Sequence, residues 1–446
     1  MGNESIRNIG VRRRVVLGGA GALAVIPALA PLARAQGAFD WRRHAGTTIR
    51  LLANRIPPGD LLLKQIPEFE AKTGIKVNVQ SLPEEQFRQR IVVEMTAGNS
   101  DIDVFMTLIG NEGTKFLKAG WYEPVKPYLD NPTLTASDFD AADIGQGAWD
   151  SQTVFGTLIA TPIEVGGHCL MANKTLLQQA GVAPPRTLDE MEAAARKLTD
   201  RSKEIYGVSL RGRRGQAVGI FSNFLHNMGG AWLDKNENPT INTPEAIAAF
   251  EMYGRLLREY GPPGSTNHTF SEVNALLMAG KAALVVEGTV FAGFYEDASK
   301  SRVAGQIGYH PMPPGPGGDH PVVNGWGVAM YSGSKKKQAA WHFMQWSSSR
   351  ETLLGLAMGG QGSPRASVWN DSRFKSASNS PPDWRETLLH TVKVGTPLFA
   401  PPVIPVLEVR DYIGDVIVEA IGGGNVRAAA NRANEQFKKA LAENKG

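Results

Sequence analysis

The sequence predicts an α/β protein, with helices packed on the faces of its sheets. Three observations predict it. Short apolar or alternating runs recur between stretches of helical spacing. The first five such segments follow the order βαβαβ, which builds a sheet with helices on its faces. The length of 446 residues, with 42% hydrophobic and 20% charged residues, is that of a globular chain of two or three domains or two large lobes.

The elements follow in order. Thr48–Ala53 is a short apolar run and reads as a strand. Asp60–Lys72 carries Leu62, Ile66 and Phe69 at helical spacing. Ile75–Val79 alternates as a strand does. Glu84–Ala97 places Phe87, Ile91 and Met95 on one helical face, and Ile102–Leu108 is another buried strand. The pattern then repeats. His168–Ala172 is a strand and Lys174–Ala180 a helix. Thr187-Leu188-Asp189-Glu190 is a capping box opening a helix through Leu198. Tyr206–Leu210 is a strand. Thr243-Pro244-Glu245 combines an N-cap, a first-turn proline and an acid, and opens a helix with Ile247, Phe250, Leu256 and Leu257 inward. Ala282–Val286 is a buried strand, Pro311–Pro321 a loop by composition, and Ala339–Ser347 and Val426–Leu441 are helices.

The net charge of +4 and a pI near 9.0 raise the question of an acidic partner. Residues 1–35 hold five arginines and one glutamate, which leaves 42 basic and 42 acidic residues in the remainder. The excess therefore belongs to the N-terminal segment, and no nucleic-acid partner is expected. Arg7, Arg12, Arg13 and Arg14 precede an uncharged run from Val15 to Leu32, then Ala33-Arg34-Ala35 before Gln36. This is the layout of a secretory signal, with cleavage expected between Ala35 and Gln36. Arg13 and Arg14, followed by Val15, Val16 and Leu17, fit the twin-arginine form. A membrane anchor is the alternative, but Pro27, Pro31 and the Gly/Ala-rich run weigh against it. A periplasmic location after cleavage is the expectation.

Catalytic signatures are missing. The sequence contains no GxSxG elbow, no HExxH and no GxxxxGK[ST] phosphate loop. The single Cys169 excludes an intrachain disulfide, a CxxC pair and a multi-cysteine metal site. The histidines are scattered, without metal-ligand spacing. No metal, no cofactor and no enzymatic activity are expected.

Several segments, in order, resemble the extracellular solute-binding proteins of ABC importers, in the branch that takes sugars and sugar alcohols. Val104–Met106 with Phe116–Trp121 (FLKAGW), Thr161-Pro162 through Asn173-Lys174, and Ala180-Gly181 with Pro184–Glu190 (PPRTLDE) are three of them. Leu277–Gly288 (LMAGKAALVVEG), Asn324–Val328, Ser334–Trp346 and Ser363–Val368 are the others. Leu188 and Ala172 stand where that family often has Trp and Tyr. Val290 stands where the maltose-binding relatives carry a stacking Trp, which weakens a maltodextrin ligand. The resemblance implies a two-lobe, type II-like periplasmic binding protein fold. Its interleaved lobes would be 47–165 with 328–373 and 166–325 with 380–446. The hinge crossings would fall near Glu164–His168, Val323–Gly327 and Phe374–Ser380. It further implies a monomer that captures a small sugar or polyol in the cleft and hands it to the permease subunits.

Sugars and polyols present hydroxyl pairs and apolar faces, so a site needs acids, amides or arginines together with aromatic rings. Trp326 and Asn324, in the Asn324–Gly327 turn, are candidates, with a core Trp at a hinge as the alternative. Glu164 and Gly167 belong to the expected first hinge loop, where Glu164 either accepts hydroxyls or is a solvated charge. His168 reads as structural. Asn54 and Thr107 follow strands, where ligands of α/β sheets gather. Glu84 and Gln86 open a helix, and the acids there could simply complement its dipole. Arg211, Glu287, Arg365 and Arg410 are the remaining candidates. Rival readings are a receptor for glycerol phosphate, an amino sugar or a sugar acid, a twin-arginine-exported cofactor enzyme, and a secreted glycosidase.

Overall fold

Strand pairing among the described residues gives two five-stranded sheets and a small two-stranded one, Thr153–Val154 with Thr157–Leu158. The structure is a computed structural model and describes residues 38–98, 101–377 and 380–444; Arg13, Arg14, Ala35 and Gln36 of the expected signal lie outside the described residues. In chain order the strands are β1 (Thr48–Asn54), β2 (Lys76–Leu82), β3 (Val104–Leu108), β4 (Thr153–Val154), β5 (Thr157–Leu158) and β6 (Ala160–Pro162). They continue with β7 (Gly166–Asn173), β8 (Tyr206–Ser209), β9 (Ala282–Gly288), β10 (Ile307–His310), β11 (Val323–Asn324) and β12 (Trp326–Met330).

The first sheet has the order β2-β1-β3-β12-β6. Strands β2, β1 and β3 are parallel, while β12 runs antiparallel between β3 and β6. Every residue of β3 and β12 is buried, as expected for central strands covered on both faces. The helices Pro57–Thr73 and Glu84–Thr96 supply the crossovers. Phe87, Ile91 and Met95 are the residues that the second of these buries, the face read from the sequence.

The second sheet has the order β10-β7-β9-β8, with β11 also pairing β7. Strand β9 is antiparallel to β7 and parallel to β8. Buried hydrophobics pack around it in two clusters, one centred on the helices Arg214–Asn227, Pro244–Tyr260 and Val406–Gly422. The helix Arg214–Asn227 has no sequence signature: every residue from Ala217 to Asn227 is buried, so no polar face marks it. Thr187 and Thr243 cap as expected, each accepting a backbone N–H three residues on. The box at Thr187 is only half formed, because the Glu190 carboxylate takes the N–H of Arg186 instead of that of Thr187.

The chain leaves the first sheet after Pro162, enters the second at Gly166, and returns through β11 and Gly325 into β12. Trp326 and Gly327 already pair within the first sheet, two residues ahead of the expected lobe start at 328. Beyond the helix Ser372–Ala377, whose Phe374 belongs to the first lobe's core, the helix Pro382–Val394 places Trp384 and Leu388 in the second lobe's core.

Candidate functional site

A cavity of about 50 Å³ lies between the lobes. The first lobe contributes Ile56, Glu84 and Leu108, which follow or end β1, β2 and β3 at the carboxyl edge of the parallel strands. The second lobe contributes His168, Arg211 and Phe399, and the crossing contributes Asn324 and Trp326. Phe399, Leu108 and Asn324 also border an outer cleft of about 230 Å³, so the Phe399 ring is a wall shared by both spaces.

The charged groups are closely fitted. Val208 and Ser209 pair with Leu284 and Val285 in the parallel β8–β9 ladder. Two residues beyond Ser209 and Val285 stand Arg211 and Glu287, and the shared register sets them side by side. Arg211 Nε donates to Glu287 Oε2 at 2.7 Å and its Nη2 donates to Oε1, a bidentate fork in which Glu287 is fully buried. Burial works against the Arg211 charge, but Glu287 outweighs it and holds that guanidinium above its ordinary value. On the other side Arg88 bridges Glu84, at 3.0 Å, and Glu112. Burial opposes ionisation of Glu84, yet the charges of Arg88 and Arg211 prevail and keep its carboxyl below the usual range. Arg410 reaches from the helix Val406–Gly422 to Asn111 of the first lobe and to the carbonyl of Gly215, 2.6 Å from Nη2. Burial and the neighbouring Arg88 lower its pKa to about 10.

The structure therefore gathers Trp326, Asn324, Glu84 and Arg211 around one space, with Glu287 and Arg410 directly behind or beside it. The other candidates are placed otherwise. Arg365 is 1% exposed and lies inside the first lobe, donating to the carbonyls of Ser348, Asp140 and Phe139 and to Asp143, and it does not border the cavity. Thr107 gives its hydroxyl to Glu112 at 3.0 Å and meets Tyr122 at 2.7 Å. Gln86 is exposed on the helix surface. Gly167 answers a packing need, since a Cβ there would come within 2.4 Å of the Val322 carbonyl and 2.5 Å of Thr391. Glu164 is fully buried between two crossings, with Oε2 accepting from the Trp326 N–H at 3.4 Å and Oε1 unpartnered. Burial pushes its pKa up to about 8. Asn54 is fully buried at the end of β1, and both polar atoms of its side chain lack partners.

Sequence reasoning missed Phe399 and read His168 as structural. His168 does hold Asn223, at 2.7 Å, but its ring also faces the cavity, and burial with the Arg211 charge lowers its pKa to about 3, so it is neutral. Phe270 and Phe291 stack on each other at 5.4 Å and complete the apolar side. Phe399 sits in the Thr396–Pro402 segment, which has no periodicity to read; the proline-flanked aromatic was the one available signal. Among the described residues, no group of three metal-ligating side chains is assembled.

The family model for the bacterial extracellular solute-binding proteins matches residues 53–352. The chain belongs to that family. The solute-binding protein is similar to the erythritol/L-threitol-binding protein of Mycolicibacterium smegmatis, at 27% identity over 89% of this chain and 86% of that one. It is also similar to the mannitol-binding protein of Pseudomonas aeruginosa, at 27% identity over 84% and 85%. Among solved structures, a solute-binding protein of Agrobacterium radiobacter K84 in complex with ribitol superposes with a TM-score of 0.81, at 27% identity over 89% of this chain and 99% of that one.

Proposed function

We propose that this solute-binding protein holds a small, uncharged sugar alcohol or sugar in the interlobe cavity and delivers it to the permease of an ABC importer, doing no chemistry on it. One observation carries the choice of an uncharged ligand. The guanidiniums of Arg88, Arg211 and Arg410 are matched in number by the carboxylates of Glu84, Glu112 and Glu287, and His168 is neutral. Balanced fixed charges, with the acceptor Glu84 and the donor Arg211 on the cavity wall, suit hydroxyl groups, which both give and take hydrogen bonds. A glycerol phosphate or sugar acid would call for a surplus of positive charge. The relatives named for erythritol, threitol and mannitol, and the neighbour with ribitol, support the same class.

In this reading Trp326 and Phe399 face the carbon chain, while Arg211, Glu84 and Asn324 take the hydroxyls. Residues 47–165 with 326–373 and 166–325 with 380–444 move as the two lobes, and closure buries the ligand. The export signal at residues 1–35, ending at Ala35, takes the protein to the periplasm, where it works as a monomer. Isothermal titration against erythritol, threitol, ribitol, mannitol and maltose, on protein unfolded and refolded to strip any bound solute, tests the reading. Heat of binding with at least one polyol is expected; none with any of them overturns it.

A further inference from the structure

We infer that Glu287 is a positioning residue that sets the selectivity of this site for uncharged polyols over anionic sugar acids, acting through Arg211. The inference rests on the polyol reading above and deepens it. Glu287 touches no part of the cavity itself; it is fully buried behind it. Its carboxylate takes Nε and Nη2 of Arg211, and its Oε1 also accepts the Gly288 N–H at 2.9 Å, which fixes its own orientation. The Phe270 ring lies 5.5 Å from the guanidinium carbon and covers a face of the planar group. One edge and one face are thus occupied. Nη1 makes no hydrogen bond to the described protein, and Arg211 borders the cavity.

The geometry has two effects. The fork holds the guanidinium in a single orientation, so Nη1 offers directed donors without the entropy cost of ordering a long side chain on binding. The buried carboxylate also cancels the charge of Arg211. A neutral hydroxyl then gains a hydrogen bond, while a carboxylate ligand meets Glu84 and, on the cavity wall, no cation that lacks a paired carboxylate.

Titrations of wild type and Glu287→Gln with ribitol and D-ribonate, and with D-mannitol and D-mannonate, test this. Wild type is expected to favour each polyol over its acid. Glu287→Gln keeps the shape, removes the charge, and is expected to gain about tenfold or more for the acids while losing affinity for the polyols. No gain for the acids, or an equal loss for both classes, overturns the inference. The acid arm decides it even if wild type binds no polyol, an outcome that would count against the proposed function separately. Because an unpaired buried arginine could unfold the protein, Arg211→Gln/Glu287→Gln is measured alongside. This uncharged pair is expected to show no gain for the acids; a gain there, with Arg211 absent, overturns the inference. Glu287→Asp, which keeps the charge but shortens the fork, is expected to weaken polyol binding with the acid-to-polyol ratio unchanged, and a shifted ratio overturns it.

Discussion

The carboxylate of Glu164 accepts the backbone N–H of Trp326 at 3.4 Å, so the first crossing between the lobes is hydrogen-bonded to the second. Burial raises the pKa of Glu164 from 4.5 to about 8. The unfolded chain therefore ionises this group before the folded one does. Stability is fully kept below pH 4.5 and lost as pH rises towards 8, by about 5 kcal/mol at most. Glu164→Gln removes that slope. Urea unfolding at pH 4.5, 6 and 8 is expected to show the variant gaining on wild type with rising pH; parallel curves would refute it.

Gly219 makes room for Phe399. A Cβ at this position would fall 2.3 Å from the ring. Alanine gains about 1 kcal/mol of helix propensity over glycine, but overpacking of this kind costs about 1–3 kcal/mol. Gly219→Ala is expected to leave the protein folded, push Phe399 from its place, and weaken polyol binding about tenfold by calorimetry.

Arg410 of the second lobe donates to Asn111 of the first. A hydrogen bond from a charged group across the lobes contributes about 1.5 kcal/mol or more to closure. Asn111→Ala should reduce affinity about tenfold and raise the radius of gyration at subsaturating ligand in small-angle scattering. The exposed Arg213–Glu85 pair, at 3.7 Å, also spans the lobes; Glu85→Ala should change neither measurement.

Arg365 is expected to separate stability from binding. Arg365→Ala leaves the carbonyls of Ser348, Asp140 and Phe139 without their donor, at a cost of about 3 kcal/mol in denaturant unfolding. Ligand affinity should stay within about twofold, since no atom of Arg365 borders the cavity.

Arg365 also marks where sequence reading reached its limit. Strands such as Thr48–Asn54 and the helix Glu84–Thr96 were legible because periodicity is local. The crossings at Glu164 and Gly325 were placed by family resemblance. Which arginine meets the cavity depends on partners far along the chain: Glu287 for Arg211, and three carbonyls for Arg365. No spacing rule reports those. Phe399 was illegible for the same reason, since its place depends on Gly219 and Gly110, which pack against its ring from distant segments. Glu164 and Gly167 were named in the right stretch, but their surroundings give them work in the crossing itself.

The insertion of β12 between β3 and β6 bears on how this chain is made. Until residues 326–330 leave the ribosome, β3 and β6 each present an open edge with no partner to fill it. The second sheet, drawn wholly from residues 166–324, can pair its strands earlier. The sheet begun first is thus closed last, although the second lobe still awaits its core helix Val406–Gly422, and until residue 330 emerges the nascent protein carries an unfinished sheet that a chaperone must shield or that a neighbouring chain could occupy.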